Sequence, residues 1–192
     1  FYKTQDVRPS DIIAIKFTNK ASREMKERIQ SLLRISSQGL WFGTFHGVCR
    51  RILKIHWKEA ELSERFTILD SQDQLRLVKR IIKTNNLDEK LYDAKSIQSF
   101  INRKKDNGIR SNQTSDKDDE IYILVYKEYE SILKQTFSVD FADLILKTYE
   151  LLLNHENILS YYVNRFKHIM VDEFQDTNLL QFKLLKLLNN NT

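Results

Sequence analysis

The stretch His168-Ile169-Met170-Val171-Asp172-Glu173 is a short apolar run that ends in two adjacent carboxylates. Such a run reads as a strand inside a sheet that stops at the sheet's edge. In open α/β sheets ligands collect beyond the carboxyl ends of the strands. Asp172 and Glu173 therefore stand where a ligand would be met. Just beyond them, Asp176-Thr177-Asn178 offers a helix cap, and Leu179, Leu180, Leu184, Leu185 and Leu188 recur at helical spacing. Capping of that helix does not require Asp172 or Glu173.

Two earlier segments repeat the strand-then-helix pattern. Ile12 to Phe17 is apolar and β-rich and follows the turn signal Arg8-Pro9-Ser10-Asp11. Thr18 and Asn19 offer a cap, and Ala21, Met25, Ile29, Leu32 and Leu33 then recur at helical spacing. Leu40 to Phe45 reads as a second strand, and from His46 onward Val48, Cys49, Ile52 and Leu53 share a helical face. Strand–helix units in succession predict a parallel sheet. From about Glu59 the pattern changes. Asp70 or Ser71 caps one helical pattern and Asp93 another. Residues 107–119 read as an exposed loop, and a helix returns with Val125, Tyr129, Ile132 and Leu133. With no strand between about 71 and 136, this part reads as a helical insertion. Helices near Phe141–Leu153 and Glu156–Phe166 lead back to the acidic strand.

Composition narrows the class. The 192 residues are 41% hydrophobic and 30% charged, the mixture of a globular chain. Four Gly and one Pro leave little to break helices, so a helix-rich α/β fold is expected. A single cysteine, Cys49, excludes an internal disulfide and fits a reducing, cytoplasmic setting. No apolar run approaches the roughly 20 residues that span a bilayer, so no membrane partner is expected. The opening residues resemble neither a signal peptide nor the start of a fold, and the chain reads as an excerpt of a longer one. Residues 1–58 hold twelve of the 31 Lys/Arg but four of the 26 Asp/Glu, a bias that suits a polyanion. Solvated helix faces are the plainer reading.

Chemistry sharpens these positions. Mg²⁺ takes hard oxygen ligands and keeps waters, so one carboxylate plus phosphate suffices to hold it. An adjacent carboxylate can accept a proton from an attacking water. Phe17-Thr18-Asn19-Lys20 combines an aromatic, two hydrogen-bonding side chains and a cation at a strand end, the pattern of a single-strand grip. Gly43-Thr44-Phe45-His46-Gly47 repeats it. The alternative is that both Phe are core and both Thr are caps.

Longer strings carry a resemblance. Val171-Asp172-Glu173-Phe174-Gln175-Asp176-Thr177-Asn178 resembles motif II of superfamily 1 DNA helicases of the UvrD/Rep/PcrA family. Phe17-Thr18-Asn19-Lys20-Ala21-Ser22-Arg23-Glu24-Met25 is similar to motif Ia, and residues 43–47 are similar to motif Ib. Val139-Asp140-Phe141-Ala142-Asp143-Leu144 resembles a further DNA-contacting motif, and residues 66–90 resemble the family's helical 1B subdomain. The resemblance implies part of a P-loop NTPase (RecA-like) domain 1A in two pieces, 1–57 and 138–192, with the all-helical 1B inserted at 58–137. It implies ATP and Mg²⁺ as cofactors, with Asp172 holding the metal, Glu173 as the base and Gln175 coupling the nucleotide to the DNA. All three would line the nucleotide site. The implied DNA contacts are Phe17, Thr18, Asn19, Lys20, Thr44, Phe45, His46, Asp140 and Phe141. The parent would unwind duplex DNA from single-stranded DNA, with DNA-repair proteins as partners. None of Gly39, Gly43, Gly47 or Gly108 opens a Gly-x-x-x-x-Gly-Lys-[Ser/Thr] loop. These residues alone are therefore expected to be inactive. A non-enzymatic DNA-binding or regulatory module and a helicase–nuclease subunit are the other readings.

Overall fold

The computed structural model describes residues 8–16, 20, 24, 27, 41–115 and 117–189. In chain order its strands and α-helices run from β1 (Ile12–Lys16) and β2 (Trp41–Thr44) to α1 (Phe45–Ile55) and β3 (Thr67–Ile68). Then come α2 (Ser71–Thr84), α3 (Ala94–Asp106), α4 (Glu120–Gln135) and β4 (Ser138–Val139). Last are α5 (Phe141–Asn154), α6 (Glu156–Arg165), β5 (His168–Val171) and α7 (Leu179–Leu188). Two compact units emerge: residues 1–55 with 148–192, and residues 56–147. The second unit includes residues 56–57 and 138–147, which the sequence boundaries at 57 and 137 placed in domain 1A.

In the first unit the strands align in the order β2-β1-β5, and every pairing is parallel. The run Ile12-Ile13-Ala14-Ile15 is buried because β1 is central, with a neighbour on each side. Strand β2 stops at Thr44, one residue before the sequence boundary. The Thr44 Oγ1 accepts a 3.2 Å hydrogen bond from the Gly47 amide, which turns the chain into α1 at Phe45. Val48, Cys49, Ile52 and Leu53 form the buried face of that helix. Trp41 packs edge-on against Tyr162 and Phe166, with ring centroids 5.6 and 5.2 Å away. The Arg51 guanidinium lies 4.0 Å from the centre of the Trp41 ring. Lys20, Glu24 and Glu27 are helical, while the caps Thr18 and Asn19 lie outside the described residues.

The second unit is built on α2, α3 and α4, whose Val78, Ile81, Ile82, Ile97, Phe100, Ile101 and Val125 meet in one core. Asp70, Asp93 and Asp119 cap these helices by accepting first-turn amides. Within residues 107–119, expected as an exposed loop, Asn112, Gln113, Ser115, Lys117 and Asp119 are exposed, while Arg110, Ser111 and Asp118 are held by partners. Ser111 is buried in a 3-10 turn, its amide donates to Glu130, and Arg110 ion-pairs with Glu130. Sequence periodicity also passes over the parallel pair β3–β4, because strands of two residues are too short to show a period.

Candidate functional site

Strand register decides what is gathered at the carboxyl edge of the first unit's sheet. Lys16 pairs with Thr44 across β1 and β2, and Ile15 pairs with Val171 across β1 and β5. Lys16, Thr44 and Asp172 thus leave the sheet on one edge, each the last residue of its strand or the next one on. The Asp172 amide continues the ladder by donating to the Ile15 carbonyl at 3.1 Å. Three of the segments with expected site residues begin here, 17–20, 44–46 and 172–175, while Asp140 and Phe141 belong to the second unit.

The Asp172 carboxylate is half-exposed and forms an ion pair with the Lys16 ammonium, which is largely covered. That hydrogen bond and charge hold Asp172 below the usual carboxylate range. Both side chains line an open pocket of about 120 Å³ with Ala14, Ile15, Met170 and Val171. Among the described residues no three His, Cys, Asp or Glu groups converge on one point. The arrangement fits a cation bound through one carboxylate and completed by water and phosphate oxygens. The position of Lys16 shows that the carboxylate already attracts a cation. Lys16 is not legible as a site residue in the sequence, because it belongs to a strand reading as core; its place before Phe17 is the available signal.

Glu173 adopts left-handed backbone, φ 51°, and makes no side-chain cap bond to the 3-10 turn Phe174–Asp176. Non-glycine residues in this region are uncommon, and such outliers gather at functional sites. The following helix is capped by Asn178, whose Oδ1 accepts from the Gln181 amide at 2.8 Å while Gln181 Oε1 accepts from the Asn178 amide at 3.1 Å. Neither Asp172 nor Glu173 is used as a cap, so both carboxylates are left for other chemistry. Gln175 is exposed in the intervening turn.

The expected strand-gripping residues divide. Phe17, Thr18 and Asn19 lie outside the described residues, and Lys20 is helical and exposed. Phe45 is only 3% exposed, so its ring belongs to the core and offers no stacking face. Thr44 acts as the cap of α1. His46 is partly exposed, and burial lowers its pKa, favouring the neutral imidazole. Phe141 is 53% exposed. Asp140 is 2% exposed, and its Oδ2 is engaged by Lys105 at 2.7 Å and Tyr129 at 2.8 Å. The Asp140 carboxylate thus faces inward and offers no side-chain oxygen to a strand at the surface. Cys49 offers no nucleophile, since burial pushes its thiol up to about 12 against a hydrogen bond from Thr148.

The UvrD/REP helicase N-terminal domain matches residues 2–192. The chain belongs to this family. It is 44% identical over 187 residues to DNA helicase II of Escherichia coli (strain K12), an overlap of 96% of this chain and 26% of that protein. With DNA helicase II of Haemophilus influenzae it is 43% identical over 195 residues, 98% of this chain and 27% of the other. With ATP-dependent DNA helicase PcrA of Staphylococcus aureus (strain Mu50) the identity is 37% over 188 residues, 96% and 26% of the two. The chain thus spans about a quarter of the length of these UvrD-type relatives. As a UvrD/REP helicase N-terminal domain it is a helix-rich α/β protein with small parallel sheets. No helix among the described residues is long and apolar enough to cross a membrane.

Proposed function

We propose that this chain is part of an ATP-dependent motor that moves on single-stranded DNA and unwinds duplex DNA, acting in cytoplasmic DNA repair alongside repair proteins. The observation that carries this reading is the common carboxyl edge of β1, β2 and β5, where the acid pair and the polar loops begin together. The three-stranded sheet is taken as part of a RecA-like domain 1A, and the helical second unit as the inserted 1B subdomain.

In this reading Asp172 holds Mg²⁺ and thereby the phosphates of ATP, and the ion supplies charge neutralisation when bound. To hold that cation Asp172 would have to give up its ion pair with Lys16. Glu173 accepts the proton of the attacking water, and its left-handed backbone keeps the carboxylate out of the capping role. Gln175, two residues on, couples the nucleotide to the loops at the ends of β1 and β2. DNA is gripped by Phe17, Thr18, Asn19 and Lys20, by His46 through a neutral imidazole, and by Phe141 through its exposed ring.

The test compares the full-length protein with residues 1–192. The full-length protein is expected to hydrolyse ATP faster with single-stranded DNA and to separate a tailed duplex. Residues 1–192, without a Gly-x-x-x-x-Gly-Lys-[Ser/Thr] string, are expected to turn over no ATP. DNA binding without any nucleotide hydrolysis by the full-length protein would establish a non-enzymatic module instead.

A further inference from the structure

The second unit buries an ion cluster that the proposed chemistry does not use. Lys105, in the last turn of α3, is fully buried. Its Nζ lies 2.7 Å from Asp140 Oδ2 and 2.6 Å from Asp143 Oδ2. It also sits 5.0 Å from the centre of the Tyr129 ring, and the Tyr129 hydroxyl donates to Asp140 Oδ2 at 2.8 Å. Arg110 Nη1 bridges Asp143 Oδ1, at 2.7 Å, and Glu130 Oε1, at 3.0 Å.

Asp140 has two separate tasks. Its Oδ1 accepts the Asp143 amide at 2.8 Å and caps the first turn of α5, while its Oδ2 receives Lys105 and Tyr129. The first turn of α5 is therefore tied to α3 and to α4 by directional, charge-assisted bonds. Phe141 follows Asp140 in the chain and is 53% exposed. A buried ion cluster is a poor way to gain stability, because desolvation offsets much of the attraction and apolar packing would serve as well. What it adds over apolar packing is a fixed geometry for one turn.

We infer that Lys105 is a positioning residue for DNA binding: through Asp140 and Asp143 it fixes the turn that presents Phe141 to a base. The inference rests on the proposed reading of Phe141 as a strand contact. It differs from a purely structural role in one measurable respect, because Lys105 acts on DNA only when Phe141 is there to be placed. It also differs from a phosphate contact, because a fully buried ammonium releases no counterion from DNA.

The experiment is a double-mutant cycle on the full-length protein, with the affinity for a single-stranded oligonucleotide measured over a range of salt. Phe141→Ala is expected to weaken binding about tenfold, the loss of one stacking face. Lys105→Met is expected to weaken it comparably, to leave the salt slope unchanged, and to add nothing in the Phe141→Ala background. Tyr129→Phe removes a single bond to Asp140, so it serves if Lys105→Met does not fold. It is expected to weaken binding about two- to threefold, and only when Phe141 is present. Losses that multiply in the double variant, a salt slope reduced by Lys105→Met, or unchanged affinity in Tyr129→Phe would overturn the inference alone. Unchanged affinity in Phe141→Ala would overturn it together with the proposed role of Phe141.

Discussion

Phe137 holds left-handed backbone, φ 47°, just beyond the C-cap Thr136 of α4, and its ring is half-exposed. That position after a helix is usually glycine, since a Cβ there crowds the following carbonyl. Phe137→Gly is expected to stabilise the protein by up to about 1 kcal/mol, because relief of strain exceeds the added freedom of the unfolded chain. Urea unfolding measures this, and a lower midpoint for the glycine variant would show that the ring contributes more than the strain removes. Asp143 contributes to the pH response. Burial alone would raise its pKa, but the Lys105 and Arg110 charges outweigh that and hold it far below the ordinary value. Its contribution is therefore complete above a pH of about 4 and is lost as the pH falls below that. For Lys105, Asp143 and Asp140 likewise outweigh burial and raise the pKa, so its contribution persists up to alkaline pH. Asp143→Asn is expected to lower stability at pH 7 and to flatten the loss between pH 5 and pH 3; an equally steep loss in the variant would contradict the assignment. The left-handed backbone of Phe137 and Glu173 was not legible in the sequence, because these are types that rarely adopt it. The buried Lys105 was equally hidden, since Arg103-Lys104-Lys105 reads as a solvated basic helix end.

Elements were more legible than residues because burial periodicity and caps are local. Asp70 and Asp93 cap α2 and α3 as their positions suggested, and the central run Ile12-Ile13-Ala14-Ile15 is buried in the parallel sheet. Where expectation and structure part, a local bond or a short length is responsible. Thr44 ends β2 by capping α1, and β3 and β4 have two residues each. The anchoring of Arg110 and Ser111 was not visible in the sequence because their partners, Glu130 and Asp143, lie 19 to 33 positions away. Core residues on α3 carry the largest single costs. Ile101 is fully buried at the meeting of α2, α3 and α4. Ile101→Ala is expected to cost about 2–5 kcal/mol, from lost burial and the cavity left behind. A loss under about 1 kcal/mol in urea unfolding would show that the three-helix core relaxes to fill the space.

At the scale of the whole molecule, the sequence placed three polar segments at strand ends but could not show that the strands are neighbours. That depended on the order β2-β1-β5, in which β1 pairs with β2 28 residues on (Ile13 with Trp41) and with β5 156 residues on (Ile12 with His168). Once the order is known, the acid pair and the polar loops share one edge, and the family match gives that edge a chemistry to be tested. The carboxylate pair is the centre of the account: Asp172 as the group that meets a cation, Glu173 as the group that takes a proton. The most direct measurement is Glu173→Gln in the full-length protein, with Mg·ATP affinity and DNA-stimulated hydrolysis measured side by side. The account predicts hydrolysis reduced by at least about a hundredfold with nucleotide affinity little changed, since only the proton acceptor is lost. Hydrolysis at the wild-type rate in that variant would contradict it.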